Sequence, residues 1–419
     1  MKKLNYNIDY SPIHVSKATF KAGLSSKIHR WFRLTPSYAP DLVRTMMEKL
    51  QCSTNETILD PFSGASTTAI EGKLNGYNCI GFEINPFLHW VGKTCCNWDL
   101  NISIINKYKK EILACFEKQK DKIFYSNMDT HGLYLPSIHN PHRWWNQVVI
   151  KDLLLLKKII NENIQEDPIK NFFLLAIAGV LVPDLTNVTL GKLQLHFIDR
   201  TNESIDVLSI YSKHLNLMIS DLIDIQEEKN IGTANIIKTN STLMDGIDVS
   251  NKVDCVITSP PYPNRYSYVW NTRPHLYFFD FINSGKEASS LDKETIGGTW
   301  GTATSILSKG VIEPDFDFLI KAYEVTEDIR KEDNLMANYV MKYFNLIAKQ
   351  IKAMESFPQG KMKCAYVVGN SRIKKRYIET DIILSDIFNG LGFDVEQVHR
   401  FRKRNSGESL YESIVYAKK

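Results

Sequence analysis

The residues with the plainest chemical potential lie at 258–262, Thr-Ser-Pro-Pro-Tyr, at the end of the apolar run Val253-Asp254-Cys255-Val256-Ile257. Adjacent prolines cannot continue a helix or a central strand, so they stiffen the chain where a buried strand ends. At such a tip the Ser259 hydroxyl and the Pro260 carbonyl become acceptors at fixed positions. Pro261 holds the turn and Tyr262 offers a flat face. Two acceptors and a ring are the requirements for holding a planar group by its exocyclic amine. The plain alternative is a rigid surface turn, which the other motifs weigh against. Arg265, Tyr266 and Tyr268 follow at once, as lining of such a pocket, as contacts to an adjacent backbone, or as packing of the next helix.

A second constellation lies at 59–67, Leu-Asp-Pro-Phe-Ser-Gly-Ala-Ser-Thr. Asp60 ends a strand, Gly64 permits a tight turn, and Ser66 and Thr67 are placed to cap a helix whose N–H groups face a ligand. Open α/β sheets bind ligands at the carboxyl ends of their strands, so this turn is a candidate cofactor site. It carries neither G-x-G-x-x-G nor the lysine of a phosphate-binding loop, which argues against dinucleotides and nucleoside triphosphates. Glu83 closes the next strand, where an acid can accept from both hydroxyls of a ribose. Together the two acids suggest a cofactor that bears a nucleoside.

These residues need a sheet to position them. Residues 57–59, 67–74 and 79–82 parse as strand, helix and strand, a βαβ unit with Gly76 ending the helix and a helix over 40–50 before it. The strand rhythm stops from about 88 to 232, where amphipathic segments such as Trp144–Ile164 argue for a helical insertion. It resumes at 234–241 and 254–258, then at 364–370, with helices over about 332–354 and 380–389 between. The strands 394–401 and 412–419 close the chain as a hairpin through a basic turn. Residues 283–305 are rich in Gly, Ser and Thr without periodicity and read as a long loop.

The chain has 419 residues and a net charge of +4, a balance too mild to name a partner. Its seven cysteines, at 52, 79, 95, 96, 115, 255 and 364, form no C-x-x-C pair and sit mostly among apolar residues. They read as reduced core thiols, with no metal site expected. The longest apolar run, Phe172–Val182, is far short of a bilayer, and no apolar run follows the two N-terminal lysines. A cytoplasmic protein without membrane contact is the expectation.

The sequence resembles the S-adenosylmethionine-dependent DNA amino-methyltransferases, which modify cytosine N4 or adenine N6. Asp60–Thr67 resembles their cofactor loop, Ser259–Tyr262 their catalytic tetrad, 29–43 the segment that flanks the cofactor, and 412–419 their closing strand. The resemblance covers about 1–100 and 233–419 and leaves the insertion unmatched. It implies a Rossmann-like α/β fold with a mostly parallel seven-stranded sheet, an antiparallel closing hairpin and a large helical insertion. Residues 1–100 and 233–419 would form the methyltransferase domain, and 101–232 an insertion suited by bulk to target recognition. His29, Asp60, Phe62, Gly64, Ser66, Thr67, Glu83, Asn240 and Ser241 would hold S-adenosyl-L-methionine. The sequence departs from the family where an amide stands at 240 in place of an acid, and where Ala65-Ser66 replaces a second glycine.

The same resemblance implies that Ser259, Pro260, Pro261 and Tyr262 act on a base flipped from double-stranded DNA. Arg265, Tyr268, Lys374, Lys375, Arg402 and Arg404 are candidates to contact the duplex, although solvated basic faces are the commoner use of such clusters. Trp144 and Trp145 read as packing residues or as a wedge for the gap a flipped base leaves. Serine in the tetrad leans to cytosine N4 over adenine N6. A restriction endonuclease is a candidate partner in a restriction-modification or defence system. An RNA amino-methyltransferase and a non-catalytic DNA-binding subunit remain as other readings.

Overall fold

Short β-branched runs bounded by turn residues build the centre of the molecule. In order along the chain the strands of the main sheet are β1 (Ile8–Tyr10), β2 (Thr57–Asp60), β3 (Asn78–Glu83), β6 (Thr233–Lys238), β7 (Cys255–Thr258), β8 (Lys363–Gly369), β11 (Asp394–Arg404) and β12 (Leu410–Lys418). Two small hairpins account for the other numbers: β4 (Val188–Leu190) with β5 (Leu195–Phe197), and β9 (Ser371–Ile373) with β10 (Arg376–Ile378). The computed structural model describes residues 5–14, 22–124, 128–191, 194–200, 203–244, 247, 252–298, 302–358, 361–404 and 410–419.

The sheet runs β1-β11-β12-β8-β7-β2-β3-β6. The five strands from β8 to β6 are parallel, and β12 joins antiparallel to both β8 and β11. It has eight strands where seven were expected, because β1 adds parallel to β11 at the edge. Three residues, two of them exposed, give no alternation from which to read that strand. The hairpin β4–β5 inside the insertion escaped for the same reason.

Both faces are covered, and the side-chain alternation along the strands shows it. Cys255 and Ile257, Ala365 and Val367, and Ile414 and Tyr416 face one core; Val256, Cys364, Tyr366, Val368, Val415 and Ala417 face the other. Helices Pro40–Lys49, Thr67–Leu74 and Pro86–Cys95 cover the first face. Helices Asn334–Ala353 and Thr380–Gly390 cover the second. The insertion contributes helices Ile102–Phe124, Gln147–Asn163, Asp167–Leu181 and Val207–Gln226, whose buried residues are continuous with the first core. Trp144 and Trp145, 4% and 0% exposed, belong to that packing, so neither is free to act as a wedge.

Asp221 ties the insertion to the segment ahead of β2. Its fully buried carboxylate accepts from Ile28 N at 3.2 Å, Arg30 Nε at 3.0 Å, Arg30 Nη2, and Trp31 Nε1 at 3.0 Å. The stretch 283–305 is not a long loop: it forms helices Gly285–Glu294 and Thr302–Leu307, with 299–301 outside the described residues. A capping box explains the first, since Ser284 Oγ accepts from Glu287 N at 3.2 Å while Asn283 N donates to Glu287 at 3.0 Å. Of the closing basic turn, 405–409 lie outside the described residues.

Candidate active site

The chain reverses its order across the sheet at β2, with β3 on one side and β7 on the other, and the crevice at the carboxyl ends of these strands is where an open sheet receives ligands. Gly64 makes the first turn there. Its φ is +52°, and a Cβ would lie 3.2 Å from Leu34 Cδ2. Ser66 also has a left-handed backbone, with φ +65°, but its hydroxyl does not cap the helix as expected. It pairs with Ser63 Oγ at 3.0 Å and packs against Gly92, where a Cβ would come within 2.1 Å of it. Ser66 therefore serves helix packing behind the turn, while Phe62, Gly64 and Thr67 line the cavity in front.

The two acids divide their work. Asp60 is 1% exposed and does not reach the cavity. It accepts from Thr258 Oγ1 at 2.5 Å, from Phe62 N at 3.0 Å and from Tyr38 OH at 3.3 Å. Burial raises its pKa and those hydrogen bonds pull it back. It thus joins the tips of β2 and β7 behind the cavity wall. Glu83 does line the cavity. Its Oε2 accepts from Gly64 N and its Oε1 from Asn85 N, both at 2.8 Å, and the Ile84 N–H also bonds the carboxylate. Burial lifts the carboxyl to about 7, against the pull of those N–H groups.

Ser259, Pro260, Pro261 and Tyr262 reach the same cavity from β7. The ring of Tyr262 lies beside Gly369 at the end of β8, where a Cβ would come within 2.8 Å of its Cδ2 and Cε2 atoms. The Arg404 guanidinium stands 5.5 Å from the ring centroid. Such a contact contributes about 0.5–2 kcal/mol. Arg402 Nε donates to Glu412 at 2.6 Å, and Arg404 Nε lies 3.7 Å from the same carboxylate. Gly369 and Glu412 escaped the sequence reading, although a glycine ending a strand signals close approach by another group. Tyr266, which the sequence offered as pocket lining, and Tyr38, from the flanking segment, are in the wall, and Asn85 and Asn264 complete it without any motif to announce them.

The remaining expected residues fall in three places. Asn240, Ser241 and Tyr268 line the cavity, with Asn240 Oδ1 accepting from Thr242 N at 3.0 Å. His29 does not: it is 3% exposed, with Nε2 2.8 Å from Glu71, and so supports the flanking segment from behind. Arg265, Lys374 and Lys375 are exposed and do not line the cavity, although Arg265 stands between two residues that do, Asn264 and Tyr266. Lys374 pairs with Asp333 at 3.0 Å, and both lysines adopt positive φ at the tip of the β9–β10 hairpin.

S-adenosyl-L-methionine fits this donor set. Glu83, Glu294 and Glu412 line the cavity against a single base, Arg402, which is bound to Glu412. A polyphosphate would meet net repulsion there, whereas a sulfonium cation is attracted. The remaining acceptor capacity of the buried Glu83 suits a ribose hydroxyl, and the Gly64 turn admits a close neighbour.

Residues 35–91, from the edge of the flanking segment through Gly64 and Glu83, match the model of a family described as DNA methylase. Over 390 residues the chain is 23% identical to Type II methyltransferase M.MvaI of Kocuria varians, spanning 90% of this chain and 84% of that one. It is 26% identical over 265 residues to Type II methyltransferase M.BsoBI of Geobacillus stearothermophilus, spanning 60% of this chain and 52% of that one. With Type II methyltransferase M.AvaI of a Nostoc species it shares 23% over 436 residues, 91% of this chain and 82% of that one.

Proposed function

We propose that this chain, an S-adenosyl-L-methionine-dependent DNA methyltransferase of the N4/N6 type, methylates the exocyclic N4 of a cytosine flipped out of double-stranded DNA at a specific sequence. It would do so as the modification partner of a restriction endonuclease. The observation that carries this reading is that Ser259–Tyr262 and Glu83 line one cavity, with Asp60 bonding the tip of β2 to the tip of β7 between them. Among the described residues no helix is long and apolar enough to cross a membrane.

When bound, the cofactor supplies an electrophilic methyl on a sulfonium. The work of the chain is to make a poor nucleophile good. The amine lone pair is conjugated into the ring of the base. The Ser259 hydroxyl and the Pro260 carbonyl accept its two hydrogens, favour a tetrahedral nitrogen and stabilise the charge that develops there. Tyr262 stacks on the base, with Gly369 making room for the ring and Arg404 beside it. Glu83 fixes the ribose of the cofactor, and Gly64 lets the backbone approach it. Tyr268 and Arg402 line the same opening, and in this reading they meet the duplex beside the flipped base.

Serine in the tetrad supports cytosine over adenine. Transfer of an isotopically labelled methyl group to duplex DNA, followed by nucleoside analysis, tests it. N4-methyl-2′-deoxycytidine is the expected product; N6-methyl-2′-deoxyadenosine as sole product overturns the choice of base, and labelling of tRNA in preference to duplex DNA overturns the choice of polymer.

A further inference from the structure

At the amino end of the sheet, opposite the cavity, two cysteines meet that no step of methyl transfer uses. Cys52 follows helix Pro40–Lys49, and Cys255 is the first residue of β7, 203 positions away in the chain. Their sulfurs lie 3.0 Å apart. Cys52 is half-buried and Cys255 fully buried. Lys363, the first residue of β8, stands over them, with Nζ 3.0 Å from both carboxylate oxygens of Glu56. Glu56 Oε2 also accepts from Ser53 N at 2.8 Å and lies 3.6 Å from Cys255 Sγ.

The three donor atoms, two sulfurs and a carboxylate, are close enough to hold a metal ion. The surroundings favour a different chemistry. The carboxylate is already engaged by Lys363 and Ser53, and the ammonium repels a cation. For the thiols the same ammonium does the opposite, because it favours thiolate. The sulfur contact with Cys255, together with Lys363, lowers the Cys52 pKa against burial and the nearby Glu56 and Asp254 carboxylates. The same contact and burial raise that of Cys255. One sulfur is therefore prepared to attack and its neighbour to resolve.

We propose that Cys52 and Cys255 form a reactive dithiol that exchanges with a small disulfide of the glutathione type and closes to an intramolecular disulfide. The Cys52 thiolate attacks one sulfur of the small disulfide, forming a mixed disulfide and releasing one thiolate. Cys255 then passes its proton by way of the Glu56 carboxylate to solvent, attacks Cys52 Sγ and expels the second, and the released thiolates take up the protons that the two protein thiols gave up. Two protein thiols are oxidised, one small disulfide is reduced to two thiols, and no proton is gained or lost overall. The site does not depend on which base is methylated.

The full-length protein incubated with glutathione disulfide, quenched by alkylation and mapped by mass spectrometry without reduction, tests this. The expected result is a joined peptide pair containing Cys52 and Cys255, two hydrogens lighter than the reduced pair. Its formation should outpace glutathionylation of Cys115 by about tenfold or more. Cys115 is the internal control, being likewise half-buried but with Gln119 Nε2 at its sulfur, 2.9 Å away. Cys255→Ala should trap glutathione on Cys52, and Lys363→Gln, near the surface, should slow the reaction. Cys52→Ser, at a half-buried loop position, keeps the test open should Cys255→Ala not fold: it should abolish the joined pair and leave Cys255 reduced. Equal reaction of Cys52 and Cys115, or no joined pair, overturns the proposal. So does a stoichiometric metal ion that copurifies and is lost in Cys52→Ser.

Discussion

Individual side chains give the sharpest expectations. Replacing Tyr262 with alanine removes the stacking face but none of the residues around Glu83. Loss of one base stack costs about 1–3 kcal/mol, or roughly fivefold to 150-fold in turnover. The expected outcome is therefore a fall in turnover of that size with cofactor affinity intact, read from steady-state kinetics beside cofactor titration. Normal turnover in Tyr262→Ala would sink the stacking role. Glu83 provides a pH dependence. Its folded pKa, about 7, is raised above the ordinary 4.5, so the empty native state holds the proton more tightly than the unfolded chain does. Its contribution to stability is complete below 4.5 and is lost as pH rises towards 7, about 3 kcal/mol in all. A diol is best held by the ionised form, so cofactor affinity should rise as pH climbs through about 7 while the empty protein loses stability. Titration calorimetry across that range checks it, and Glu83→Gln should flatten the profile. Because the amide NH2 would face Gly64 N–H or Asn85 N–H, that variant should also melt lower.

Elements were legible in proportion to their length and to how much of them faces a core. Strands β2, β3, β7 and β8 were found within a residue or two, because each is an apolar run ended by an acid, a proline pair or a glycine. Strands β1, β4 and β5 have three residues each and were missed. Helix Gly285–Glu294 buries only Asp292, so its composition read as a loop, and the Ser284–Glu287 spacing, its one local signal, went unread. Within the site, Gly64, Glu83 and the 259–262 tetrad were readable because a turn or a stiff tip leaves a local signature. Asp60 and His29 were read as ligand contacts because sequence shows an acid or a histidine near a cavity but not the direction it takes. What settles direction is a partner far along the chain, Thr258 for one and Glu71 for the other. Asp221 is the same kind of residue. Truncating it to alanine should strand the donors of Ile28, Arg30 and Trp31 and cost about 3–5 kcal/mol, the usual penalty for breaking a buried charged network. Thermal unfolding measures that loss. Cofactor affinity should fall with it, since Leu34 to Tyr38, just downstream, line the cavity.

At the scale of the whole molecule, one sheet separates two cores and carries different chemistry at its two ends. The carboxyl end holds the cavity and the amino end the thiol pair, with the four residues of β7 spanning the distance, roughly 10 Å. The insertion adds a layer to one core and builds no core of its own, so its helices move with the sheet they cover. The hydrogen bond of 2.5 Å between Asp60 and Thr258 then has a consequence for regulation by mass action. That bond ties the turn after β2 to the tip of β7, so on the function proposed above a ligand that steadies either should steady the other. Linkage requires the resulting cooperativity to be mutual: cofactor and target should strengthen each other's binding by the same factor. Thr258→Val, which keeps the shape and removes the bond, should bring that factor towards one while each ligand alone still binds. Measuring duplex affinity with and without a non-reactive cofactor analogue would show it, and an undiminished factor would separate the two halves of the site.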